Sequence, residues 1–299
     1  MRSIAACLLF AVPLAVGAQD LEPRSYTNTP VGLNFLIAGY AYQHGDIATD
    51  ASLPIEDAEV DVHGTLLAYA RSFGVLGKSA KADLVLPYTW VSGSATFQGQ
   101  ARERRIDGVG DPRVRLSVNL LGAPALSLRE FADYRPDLVL GVSLQVWVPV
   151  GRYDADKLLN VGTNRWAFKP EIGLAKTLGP VSLEIAPSAT FYTDNDEFLD
   201  DMVREQDPLY AVQAHLVYRF NDAFWGSLDG TFYGGGQTTV DDVEADDRQA
   251  NARVGGTLAL SLDRHNSLKL YGSTGAVTRV GGEFRTIGLA WQYRWGGGL

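Results

Sequence analysis

The chain has 299 residues, 46% hydrophobic and 20% charged, with 32 glycines and a formal net charge of −9. This composition excludes intrinsic disorder, and the negative charge argues against nucleic acid, which is held by basic surfaces that release counterions. The single cysteine, Cys7, lies in a segment expected to be removed, so neither a disulfide framework nor a thiolate metal site holds the mature protein together.

At the N-terminus, Arg2 supplies a positive region, Ile4 to Val16 an apolar run, and Val16-Gly17-Ala18 the small residues that precede signal-peptidase cleavage. Residues 1–18 are therefore predicted to be a cleaved signal peptide. The lipobox-like Ile4-Ala5-Ala6-Cys7 is set aside because it precedes most of the apolar run. Residues 19–30, where Pro23 and Pro30 limit regular pairing, are expected to be a periplasmic segment able to fold inward as a hatch. No later stretch reaches the roughly 18 unbroken apolar residues of a membrane helix.

From residue 31 to 299 the pattern is period-two alternation in segments of about ten residues, broken by Gly, Asp and Asn. Twelve strands are predicted, starting near 31, 60, 82, 112, 138, 165, 181, 208, 224, 251, 267 and 285. Val114, Leu116, Val118 and Leu120 share one face against Arg113, Arg115, Ser117 and Asn119. Trp166, Phe168, Ile172 and Leu174 oppose Arg165, Lys169 and Glu171. Tyr210, Val212, Leu216 and Tyr218 oppose Gln213, His215 and Arg219. Val254, Leu258 and Leu260 oppose Asn251, Arg253 and Thr257. The last segment sets Leu289, Trp291, Tyr293 and Trp295 against Gln292 and Arg294. The irregular stretch 122–137 is expected to carry a short helix starting near Ser127.

A soluble β-sandwich also alternates. Three features favour a membrane barrel: aromatics near the ends of the apolar faces, C-terminal alternation running almost to the last residue, and connections that alternate long and short. The long connections lie near 44–58, 98–109, 150–163, 194–207 and 234–249. The predicted fold is all-β: one transmembrane antiparallel barrel of about twelve strands over residues 31–299, with both termini periplasmic. The implied partners are the lipid bilayer with its lipopolysaccharide and the barrel-assembly machinery, with no nucleic acid.

The polar faces assign candidate lumen-lining residues: Arg113, Arg115, Arg165, Lys169, Glu171, His215, Arg219, Asp229, Arg253 and Arg294. Arg71, Asp61, Asp83, Glu184, Lys269 and His63 are placed inward as well. Basic residues outnumber acidic ones there, so an open lumen would favour anions such as aromatic carboxylates; the competing reading is a salt-bridge network that fills the barrel. Acidic runs in the outer loops, among them Asp50, Asp57, Asp200 and Asp246, read as solvated surface, with divalent cations shared with lipopolysaccharide phosphates as the alternative. No cofactor, metal or catalytic residue is assigned. His265-Asn266-Ser267 falls in a short turn, where a lipid-facing hydrolase dyad would not sit.

Pro149-Val150-Gly151-Arg152-Tyr153-Asp154, Leu159 to Trp166, Lys169-Pro170-Glu171 with Gly173, and the upstream Gly108-Val109-Gly110-Asp111-Pro112 resemble the phenol-degradation meta-pathway family of outer-membrane transporters. Trp291-Gln292-Tyr293-Arg294-Trp295 extends the resemblance to the C-terminal strand, where the Gly296-Gly297-Gly298-Leu299 tail departs from the aromatic terminus more usual there. The resemblance implies an outer-membrane barrel for passive uptake of small hydrophobic or aromatic compounds. The alternative is a structural barrel with an occluded lumen and no transport.

Overall fold

A computed structural model describes residues 21–48, 55–97, 100–157, 159–199, 201–279 and 281–299. The signal-peptide segment, Cys7, Asp200 and the side chains of the first acidic loop (Asp46, Asp50, Glu56 and Asp57) lie outside what it describes. The strands are β1 (Leu33–Ala48), β2 (Ile55–Val75), β3 (Lys78–Phe97), β4 (Gln100–Val109), β5 (Arg113–Leu121), β6 (Leu138–Trp147), β7 (Ala167–Leu178) and β8 (Val181–Tyr192). They continue as β9 (Asn195–Phe198), β10 (Met202–Gln206), β11 (Leu209–Arg219), β12 (Phe224–Gly235), β13 (Thr238–Val240), β14 (Val243–Glu244), β15 (Gln249–Ser261), β16 (Asn266–Val277) and β17 (Gly281–Gly296).

The large sheet closes on itself. Chain neighbours pair antiparallel around the ring, and β1 pairs with both β2 and β17, from Leu33↔Gly296 upward. Closure pairs each strand of the ring on both edges except β4, and such pairing is the condition for backbone to cross hydrocarbon. Counting β4 and β5 as one interrupted stave, twelve staves form the wall.

Alternation decides which face each side chain takes. Along β7 and β11 buried and exposed residues alternate strictly over most of each strand, but the exposed set is apolar (Phe168, Ile172, Leu174; Tyr210, Val212, Leu216) and the buried set includes Lys169, Glu171, Gln213 and His215. An outer surface of Leu, Ile, Val and aromatics is stable only when lipid covers it. Where the chain turns back, a four-residue helix α1 (Leu128–Phe131) is capped by Ser127, whose hydroxyl accepts from the Glu130 N–H while the Glu130 carboxylate accepts from the Ser127 N–H. The Tyr134 hydroxyl donates to the Gly122 carbonyl at 2.7 Å, closing the same connection.

Three sequence expectations are corrected. The connection expected at 98–109 is largely strand: β4 runs antiparallel to β3 from Tyr88↔Val109 to Phe97↔Gln100, and pairs with β3 alone. The connections near 194–207 and 234–249 carry a second, small sheet, in which β10 pairs with β9 and β13 (Arg204↔Val240) and β13 with β14. Finally, His63 and Asp61 face outward with Tyr40, Tyr42 and His44, and Arg71 is exposed on the same face. The cause is local. β1 to β3 exceed the roughly 10 residues needed to cross a bilayer, so their loop-side ends leave the hydrocarbon. There the outward face is polar and the inward face, with Val60 and Val62, is apolar.

Candidate functional site

The interior has two halves of different chemistry. Toward the short turns it is charged and occupied by the N-terminal segment. The Glu22 carboxylate takes Arg113 Nη1 at 3.0 Å on one oxygen and Arg115 on the other, and Arg115 Nε also meets Asp83 at 2.8 Å. The Glu22 N–H donates to Gln213 at 3.2 Å, the Arg24 N–H to Glu184 at 2.7 Å, and Lys81 Nζ to the Ser25 carbonyl at 2.5 Å. Burying charges costs several kcal/mol unless they are paired, so this wall of cations selects a carboxylate at position 22. The Arg24 guanidinium sits 5.0 Å from the Trp225 ring centroid.

Tyr26 is the anchor. Its hydroxyl donates to Glu171 Oε1 at 3.0 Å and lies 3.0 Å from Ser143 Oγ. Its ring fits because Gly141 and Gly173 face each other across β6 and β7. A Cβ at Gly173 would meet the ring at 2.0 Å and one at Gly141 at 2.3 Å, so the paired glycines form the slot. Pro124 and Leu126 hold the other end, accepting from Asn28 Nδ2 and the Val31 N–H. Beside the segment, buried Asp229 accepts from His215 Nδ1 at 2.8 Å and from Ser227 and Thr257 hydroxyls at 3.0 Å. Ser227 bonds the carboxylate rather than the imidazole, so the trio lacks the nucleophile–base contact of a hydrolase.

Toward the long loops the interior carries two apolar clusters beside buried polar residues such as Arg165, Arg204 and Asn195. Val60 and Val62 from β2, Val91 from β3, Ile106 from β4, Phe284 from β17 and Val161 from the β6–β7 connection form one buried cluster, with Leu159 against it. Across the barrel, Leu209, Ala211 and Tyr233 form a second, with Tyr192 packed on it. Burying such side chains against one another stabilises the barrel by about 25 cal/mol per Å² of apolar area removed from water.

The residues that carried the family resemblance meet at the interruption between β4 and β5. Asp111 accepts from the Gly151 N–H (2.9 Å), the Thr163 N–H (2.8 Å) and the Thr163 hydroxyl (2.7 Å). The Arg152 N–H reaches the Val109 carbonyl and the Gly162 N–H the Arg152 carbonyl, both at 2.8 Å. Asn160 closes the loop on itself through Asp154 and Lys157. One carboxylate thus pins the 148–166 connection across the place where β4 has no second neighbour.

Of the ten candidate residues, the structure brings Arg113 and Arg115 together on Glu22, sets Lys169 Nζ 3.5 Å from Glu171, and joins His215 to Asp229. Arg253 spans three strands, donating to Ser273 Oγ, the Phe284 carbonyl and Thr286 Oγ1. Arg294 ties the β15–β16 turn through the Arg264 carbonyl at 2.6 Å, and Arg219 is exposed at that turn-side end. Arg165 stands apart, under the small loop sheet. Glu22, Tyr26, Lys81, Tyr192 and Arg204 were missed; only the Gly173 in the resemblance motif hinted at a ring-sized gap.

No curated protein matches the chain. Among solved structures it is similar to an outer-membrane channel from Pseudomonas putida F1, at 20% identity over 92% of this chain and 100% of that one, with a TM-score of 0.80. It is also similar to the beta domain of the Bordetella autotransporter BrkA (12% identity, 89% and 100% coverage, TM-score 0.54). The transport unit of the autotransporter AIDA-I from Escherichia coli aligns at 9% identity, 93% and 94% coverage and a TM-score of 0.53. These likenesses speak to the barrel alone, whereas the family model described as "Putative MetA-pathway of phenol degradation" matches residues 42–295, and the chain belongs to that family.

Proposed function

We propose that the protein is a bacterial outer-membrane channel for passive uptake of small hydrophobic or aromatic compounds, and not an enzyme. The observation that carries this reading is the closed barrel with an apolar outer face, whose inward loop-side residues include the buried apolar set Val60, Val62, Val91, Ile106, Val161 and Phe284. An interior built partly on apolar side chains suits a nonpolar solute better than a sugar or an ion. The Pseudomonas putida relative is itself described as an outer membrane channel. In this reading residues 1–18 are removed on export, residues 19–30 remain as the N-terminal segment, and the short turns and both termini face the periplasm. The long acidic loops then face lipopolysaccharide, and the β17 aromatics Trp291, Tyr293 and Trp295 serve the assembly machinery.

One observation favours the second reading, an occluded structural barrel: the segment from Glu22 to Tyr26 fills the turn-side half. The test is uptake of a labelled small aromatic compound, against a sugar of equal size, into liposomes carrying the refolded chain. Faster aromatic uptake supports the channel; permeation of neither supports the occluded barrel.

A further inference from the structure

The loop-side half holds a buried cation with one nitrogen left without a hydrogen-bond partner. Arg165 is 3% exposed, and among the described residues it forms no ion pair. Its guanidinium lies 4.4 Å from the Tyr192 ring centroid and one nitrogen, Nη2, donates to Gln206 Oε1, while buried Nη1 has no hydrogen-bond partner. Of the acids whose charge reaches it, Asp111 is hydrogen-bonded to Gly151 and Thr163 and Asp194 is exposed, and neither forms an ion pair with it among the described residues. A second guanidinium, Arg204, is also buried, with the Phe198 ring 5.5 Å away; burial first, and then the charge of Arg165, pull it below its ordinary pKa. A second positive charge beside Arg165 adds to what an anion reaching Arg165 gains. Beside them lies a hydrocarbon floor, Leu209, Ala211 and Tyr233, on which the half-buried Tyr192 ring packs.

From this juxtaposition we infer that Arg165, Tyr192 and the Leu209–Tyr233 floor form a binding site for a small aromatic carboxylate at the loop-side mouth. The carboxylate takes the unpartnered Nη1 of the Arg165 guanidinium, and the ring lies against Tyr192 and Leu209. The inference rests on the channel reading for its purpose, since a capture site at the mouth raises the local concentration of solute. It does not rest on that reading for its chemistry.

The probe is labelled benzoate, measured by equilibrium dialysis against the full refolded chain in detergent, with benzyl alcohol and acetate as competitors. Saturable benzoate binding is expected, displaced poorly by either competitor. Arg165→Gln should weaken it at least tenfold. Gln206→Glu keeps the cation but gives Nη2 a carboxylate of its own, and should weaken benzoate to a similar extent, which covers the case in which Arg165→Gln does not fold. Unchanged benzoate binding in both variants, or acetate competing as well as benzoate, overturns the site. Liposome uptake separates the two claims: benzyl alcohol permeating a chain that binds no benzoate leaves the channel standing without the site. Benzoate binding in a chain that passes no aromatic leaves the site without the channel.

Discussion

The two halves of the barrel interior answer the same problem, how to fill the inside of a twelve-stave wall, in opposite ways. The turn-side half uses charges and satisfies them with a piece of the chain itself: Arg113 and Arg115 on Glu22, Glu171 on Tyr26, Glu184 on the Arg24 backbone. The loop-side half uses Val, Ile and Phe side chains, which demand no partner, and leaves Arg165 with an unmatched nitrogen. One half is complete within the chain. The other packs its apolar side chains on one another and keeps one buried guanidinium nitrogen without a hydrogen-bond partner, and that division separates a closure from a candidate binding surface.

The comparison is broken most sharply by deleting residues 21–30. Every barrel strand lies outside that stretch, so the wall should assemble, and single-channel conductance in planar bilayers should rise by about tenfold as the turn-side half empties. A conductance equal to that of the full chain would mean that wall residues alone close the lumen. Gly173→Ala should act in the same direction more weakly. A Cβ at 2.0 Å from the Tyr26 ring forces it out of its slot at about 1–3 kcal/mol, lowering the unfolding midpoint in urea. Tyr26→Ala in the same chain should restore the midpoint, and failure to do so would place the strain elsewhere.

Asp111→Asn leaves up to three donors with a weaker acceptor and should cost about 1–3 kcal/mol, with faster proteolysis confined to the 148–166 connection. Phe284→Ala in the apolar half should slow uptake of a neutral aromatic several-fold while leaving ion conductance unchanged; equal losses in both would mean the two halves are not separable. The smallest effect is at α1. The Ser127 hydrogen bonds hold the Glu130 carboxyl below its ordinary pKa. Its contribution to the cap is therefore present above the usual carboxylate range and disappears as pH falls through the lowered value. Amide exchange at residues 127–131 should rise on acidification in the native chain but be pH-flat, after correction for intrinsic exchange, in Glu130→Gln.

How far each half could be read in advance follows from what the lipid imposes. Where hydrocarbon surrounds the strand, outward must be apolar, and Phe168, Ile172 and Leu174 identify Lys169 and Glu171 as inward without knowledge of any contact. Beyond the bilayer edge that constraint lapses. His63 and Asp61 were misread for this reason: alternation persists there, but its sense is reversed, and period two is blind to its own sign. Tyr26 was invisible for another reason. Its slot is made by Gly141 and Gly173, 32 positions apart in the chain and adjacent only once β6 and β7 are in register. The Asp111 knot was half legible, as an order of glycines, prolines and an asparagine that made sense only when the 148–166 connection crossed the wall.

The contacts of the N-terminal segment bear on how the molecule is made. Its hydrogen bonds reach residues 91, 145, 160 and 191 positions away, on β5, β7, β8 and β11. None of those partners exists as a surface until much of the chain has been synthesised and paired, although the segment itself precedes the first strand. Loop closure of that length makes the contacts late ones. The segment must therefore wait inside the curve of the growing sheet, and be enclosed when β1 and β17 zip from Leu33↔Gly296. The last seam of the barrel seals in the first described residues of the chain.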